Sequence, residues 1–208
     1  MSSPRHTVPL QPPLPPVPPD AAAVLACWFG AVEPAGDHPR TEWFRKDPAF
    51  DERIRARFGG LIEAALVGEL DGWTVQPSAA LARLLLLDQF TRNVFRGSPR
   101  ACAGDARALA GAQALVASGG DLRLGPLRRV FVYLPFEHAE DRVAQAESLR
   151  LFGALVQAEP ALAGYEDYAR RHAEVIGRFG RFPHRNAILG RSSTPEEAEF
   201  LQQPGSSF

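Results

Sequence analysis

Cysteine is scarce in this chain: Cys27 and Cys102 are the only two among 208 residues. They are too few for a disulfide framework and lack the spacing of a metal or redox pair. Both fall in apolar helical patterns, so they are expected as small buried hydrophobes in a reducing compartment. Long hydrophobic runs are also absent: no stretch reaches the roughly 18 apolar residues that a membrane helix needs. No apolar segment follows the first basic residues, which argues against a secretory signal and for a cytoplasmic location. Charge of one sign is lacking too. The 24 acidic and 23 basic residues nearly cancel to a formal net charge of -1. That balance gives no argument for wholesale binding to nucleic acid or to an anionic membrane surface. The chain has no glycine-rich phosphate loop, no nucleophile elbow and no HExxH pair, which removes the reactions those motifs serve.

With 45% apolar residues, the chain can bury a proper core. Residues 1–19 are proline-rich and read as an extended leader without a packed core. Residues 20–208 read as one all-helical domain. Asp20 is the expected N-cap of a first helix that Gly30 stops. Asp47-Pro48 opens a second helix, in which Phe50, Ile54, Phe58, Ile62 and Leu66 recur every four residues. Pro77-Ser78 opens a third, and Ser98-Pro99 a fourth that runs to Gly119. The apolar run LRRVFVYLPFEH fits a strand or a buried helix by periodicity; its setting favours a short buried helix, followed by a long one from Glu137 to Ala158. Another helix ends at Gly180. Thr194-Pro195-Glu196-Glu197 is a capping box for the last. The total is seven or eight helices linked by short turns, which favours antiparallel neighbours.

Three polar constellations interrupt this apolar pattern. The first is Asp88, Gln89, Arg92, Asn93 and Arg96, directly after four leucines on a helix expected to be central. It reads as an internal network or as one wall of a pocket. The second is Glu137, His138, Glu140 and Asp141, with Gln145 one turn on. Acids suit a helix N-terminus, where the dipole favours negative charge; the alternative is a metal site on His138, Glu140 and Asp141. A divalent metal is the less favoured of the two, since the Glu-x-x-His spacing of carboxylate-bridged di-metal bundles is missing. The third joins His172, on a largely apolar helix face, to the segment Arg178–Arg191. That segment holds Arg178, Arg181, His184, Arg185, Asn186 and Arg191, and no carboxylate lies between Glu174 and Glu196. Arginine forks suit carboxylate or phosphate, whether from a ligand or from the protein's own acids.

The stretches LLLLDQFTRNVFRGSPRACAGDARAL, FVYLPFEHAEDRVAQAESLRLF and RHAEVIGRFGRFPHRNAILGRSSTPEEAEFL carry a resemblance. Together with CWFG and WFRKDPAFDERIRARFGGL they closely resemble the bacterial family known as domain of unknown function 924, over about residues 21–201. Thr91 stands where members commonly have proline, and Cys102 where many have phenylalanine. The resemblance implies an all-helical fold similar to degenerate tetratricopeptide repeats, a helical-hairpin array, and it implies no function.

Two readings follow. In the first, a pocket binds an anionic small molecule. Asp88, Arg92, Asn93, Arg96, Arg178, Arg181, His184, Arg185 and Asn186 would line it, and Glu137, His138 and His172 would move protons. In the second, the chain is a module for an acidic peptide, and its charged motifs are mainly an internal network. Cofactor and oligomeric state are left open by the sequence.

Overall fold

Helix α1 (Pro19–Phe29) begins one residue before the expected Asp20 cap. Pro18 occupies the N-cap position and Asp20 lies in the first turn, with no side-chain cap bond. Prolines lack the N–H that a cap would satisfy, so Pro19 at the helix start replaces capping by preset φ. The computed structural model describes residues 14–30 and 38–207; most of the leader lies outside them.

Helix α2 (Pro48–Val67) starts as its sequence predicts: an Asp47 oxygen accepts from the amides of Ala49 at 2.9 Å and Phe50 at 3.0 Å. Phe50, Ile54, Phe58 and Ile62 are all buried. Helices α2 and α8 (Ala163–Phe179) both end on glycines with positive φ, Gly68 at 91° and Gly180 at 69°, a conformation that costs glycine nothing.

The third helix is a rod of three parts: α3 (Pro77–Leu84), a π-helical turn (Leu85–Phe90) and α4 (Thr91–Val94). Its cap is Gln76, which accepts from the Ala79 amide, rather than Ser78. Leu84 to Leu87 are at most 2% exposed, so the rod is central, as the four leucines predict. The π turn was not legible in the sequence. It inserts one extra residue per turn, and such turns recur at functional sites. The Thr91 hydroxyl donates to the Leu87 carbonyl at 2.8 Å within it.

The expected fourth helix is divided. A short turn (Pro99–Cys102) precedes α5 (Asp105–Ala117). The run LRRVFVYLPFEH is helical, as α6 (Pro126–Glu137). The long helix expected from Glu137 instead begins at Arg142, as α7 (Arg142–Ala158), capped by Asp141, whose Oδ1 accepts from the Ala144 amide at 2.7 Å. Glu137 thus ends one helix rather than opening the next, and the dipole account of the acidic cluster holds for Asp141 alone. Helix α9 (Pro195–Phe200) carries the predicted capping box on Thr194 and Glu197.

Counting the three-part rod once, the described residues form eight helices and no strand. Trp28 is fully buried and meets Trp43, Phe50, Phe90 and Phe131 at ring separations of 5.5–6.0 Å. That centre joins α1, α2, the rod and α6. Helix α7 packs on α6 and α8 in succession, but the rod touches α1, α2, α5 and α6. A regular repeat array would restrict contacts to neighbours; the hairpin pattern belongs to the C-terminal half. No described helix is long and apolar enough to cross a membrane.

A candidate polar site at the joint between α6 and α7

The break between α6 and α7 leaves helix-end carbonyls to be satisfied. Gln145, one turn into α7, reaches back: its Nε2 donates to the carbonyls of Glu137 at 2.6 Å and Ala139 at 2.9 Å. These bonds fix the backbone of the joint to α7, while side-chain contacts turn His138 to the rod and Glu137 to α8. Nδ1 of His138 lies 2.7 Å from Oδ1 of Asp88 in the π turn. Asp88 also accepts from Gln89 at 2.7 Å and pairs with Arg92 at 3.1 Å. Burial works to raise the Asp88 pKa, but Arg92, His138 and Gln89 prevail and hold the carboxyl well below the usual range. An ionised carboxylate only accepts, so the contact places the proton on Nδ1 of His138. Burial pushes the His138 pKa down, against the pull of Asp88.

Glu137 and His172 form the inner part. Nδ1 of His172 is 3.0 Å from Oε1 of Glu137 and 2.9 Å from the Tyr168 carbonyl. Glu137 is 2% and His172 4% exposed. The rings of His138 and His172 stand 6.0 Å apart, and Phe182 covers His172 edge-on at 5.4 Å.

The arginines are answered almost one for one. Arg178 pairs with Glu196 at 2.9 Å. Arg181 forms a two-point bond with Glu197 at 2.6 and 2.7 Å. Arg191 does the same with Glu140 at 2.6 and 2.9 Å. Asp105 takes Arg92 at 2.9 and 3.2 Å and Arg185 at 3.1 Å. Asn186 donates to Ser193 and Glu197 and accepts from Arg191. Asn93 and Arg96 lie elsewhere, both donating to Asp51 on α2, at 2.7 and 3.1 Å.

The residues singled out in the sequence therefore fall into three places. Asp88, Arg92, Glu137, His138, His172 and Arg185 gather around the joint. Arg178, Arg181 and Asn186 tie α8 to α9. Asn93 and Arg96 face a groove of about 450 Å³ beside α2. The potential metal ligands Glu140 and Asp141 are engaged elsewhere, the first by Arg191 and the Phe182 amide at 2.8 Å, the second as a helix cap. Sequence reasoning missed Asp51 and Glu197 as partners. The capping box pointed to Glu197, though only for its backbone role. Both cysteines are half-buried rather than buried, and burial pushes their thiol pKa values up, which disfavours the nucleophilic thiolate.

The ionisable groups give a directional prediction. Burial, with Arg185 and His172 nearby, lowers His184 to about 4. His138 shifts in the same direction. A group whose folded pKa is depressed contributes stability that is complete above its unfolded pKa and is lost as pH falls through the folded value. For His184 that window runs from 6.5 down to about 4. Asp88, Glu140 and Glu197 are also lowered, and their contribution is lost below about 4.5. Thermal melts are thus expected to fall steadily from pH 7 to pH 4. His184 alone accounts for on the order of 2 kcal/mol. In His184→Gln the fall between pH 6.5 and 5 should shrink visibly; an unchanged curve would assign that limb to other groups.

The chain matches the family described as bacterial protein of unknown function (DUF924) over residues 24–205. A solved structure of a protein of unknown function from Agrobacterium tumefaciens is similar at 41% identity and a TM-score of 0.76, covering 88% of this chain and 96% of that one. No curated protein matches the chain. With the family match running from α1 to beyond α9, and with the same all-helical fold in that solved structure, the chain belongs to the DUF924 family of bacterial proteins.

Proposed function

We propose that this protein binds a small anionic molecule at the α6–α7 joint and moves a proton on it through His138. The supporting observation is the contact of 2.7 Å between His138 and the buried Asp88, with the His138 side chain still 15% exposed. A carboxylate that fixes the tautomer leaves Nε2 as the working nitrogen. A depressed pKa keeps that nitrogen unprotonated near neutrality, as a general base requires. Arg185 favours an anion. It is 8% exposed, burial lowers its pKa, and among the described residues it makes one hydrogen bond, to Asp105, with its guanidinium 4.5 Å over the Phe182 ring. A guanidinium has five N–H donors, so most of its capacity remains for a ligand.

A panel of small carboxylates and phosphates in thermal shift tests this reading. A ligand at 100 times its Kd adds about 2.7 kcal/mol of stability, roughly 5–10 °C for a chain of this size. The shift should vanish in Arg185→Gln and persist in His138→Gln, with any turnover lost in the latter. A panel without a single saturable shift would overturn the proposal. A second reading has its own observation: the groove beside α2 carries Lys46, Arg55 and Arg96 against Asp51 and Glu52. An excess of basic groups there suits an acidic peptide, and Arg96→Ala should weaken such binding while leaving the joint untouched.

A further inference from the structure

We infer that Glu137, His138 and His172 form a binding site for one divalent transition-metal cation of the zinc class. The inference uses the joint proposed above but needs no anionic ligand. Because Asp88 holds Nδ1 of His138, a metal would take Nε2, so ligation and the general-base role are alternative uses of that nitrogen. A bound metal would leave proton transfer to a metal-bound water. One ligand atom from each of the three residues lies within 4.8 Å of the others. Tetrahedral ligands at about 2.0–2.2 Å from zinc stand roughly 3.3–3.5 Å apart, so closure around an ion asks for side-chain movements of about 1 Å.

Glu137 itself calls for a cation. Its carboxylate is buried, has no arginine or lysine partner among the described residues, and Oε2 accepts no hydrogen bond. Around it, Asp88, Asp105 and Glu140 are each paired with Arg92, Arg185 or Arg191. Glu137 has only His172, at Oε1, and Oε2 is left without a partner among the described residues. An uncompensated buried charge is costly, and a metal ion supplies the compensation outright.

The histidines fit the same account. Asp88 engages Nδ1 of His138, and a carboxylate behind a ligating imidazole orients the ring and strengthens it as a donor. Two imidazole nitrogens with one carboxylate oxygen suit zinc, iron(II), cobalt or manganese. Calcium and magnesium instead prefer all-oxygen shells. Three protein ligands also leave a coordination position for water or substrate, as in catalytic zinc sites. An imidazolium on His172 would neutralise Glu137 through Oε1 but leave Oε2 without a partner.

The test is calorimetric titration of chelator-stripped, untagged full-length protein with zinc chloride, without organic ligand. One zinc per chain is expected. Affinity should fall at least 100-fold in Glu137→Gln and in His172→Asn, and about 10–100-fold in Asp88→Asn. The double variant Cys27→Ser/Cys102→Ser should bind as the wild type does. If His172→Asn does not fold, Glu137→Gln, which keeps the side chain's shape, decides. Absence of saturable binding, or superimposable curves for wild type and Glu137→Gln, overturns the site. A null result removes the cation and leaves the anion panel to be judged separately.

Discussion

Gly104→Ala is expected to be among the most damaging single-methyl changes in this protein, costing about 3 kcal/mol and lowering Tm by roughly 6–12 °C. Backbone strain is not the reason, since Gly104 has an ordinary φ of −89°. The reason is space. A Cβ there would stand 2.1 Å from the Leu87 carbonyl oxygen and 2.8 Å from its carbon. Those are backbone atoms of the π turn, and the same oxygen accepts from Thr91, so no side chain can rotate away. The start of α5 would have to retreat from the rod. Asp105, the next residue, would go with it and loosen its bonds to Arg92 and Arg185. Gly111→Ala is the control: a Cβ there meets only side-chain atoms of Arg83 and Leu84, at 3.0 and 3.1 Å. Arg83 can yield, and alanine gains helix propensity. Urea melts of the two variants should differ by several kcal/mol; near-equal midpoints would refute the close approach.

The second large effect concerns Asp88→Asn. Asp88 is 1% exposed and serves Arg92, His138 and Gln89 together. Asparagine keeps the volume but removes the charge. Arg92 retains Asp105, so its loss is partial, and a destabilisation of about 3 kcal/mol is expected, at the lower edge of that for a broken buried pair. The distinguishing sign is in His138. Asp88 is the main group that pulls its pKa up against burial. In the variant, NMR titration of the ring should show a still lower pKa. If stability falls but the His138 titration stays where it was, the contact of 2.7 Å has no electrostatic role.

Much of the secondary structure was legible because its determinants are local. Asp47, Thr194 and Gly180 act on amides and carbonyls within four residues, and their types announce the geometry. Where the sequence misled, a competing local group won. Pro19 displaced Asp20 at the start of α1, and Asp141 displaced Glu137 at the start of α7. The π turn left no mark in the pattern, because four consecutive leucines bury equally well in either register.

The site was legible as a set of residues and not as an arrangement. Composition and spacing alone determined an all-helical chain with a central leucine rod, an acidic cluster at a helix boundary, and an arginine-rich segment free of carboxylates. Tertiary structure alone decided which charges meet. Arg185 finds Asp105 across 80 positions, Arg191 finds Glu140 across 51, and His138 finds Asp88 across 50. Coulomb attraction and hydrogen bonding depend on distance in space, and helix packing sets that distance. Hence a segment suited either to a ligand or to the protein's own acids becomes a network largely spent on internal acids, and Glu137, one acid among several in the sequence, emerges as the buried carboxylate of the joint that no arginine answers among the described residues.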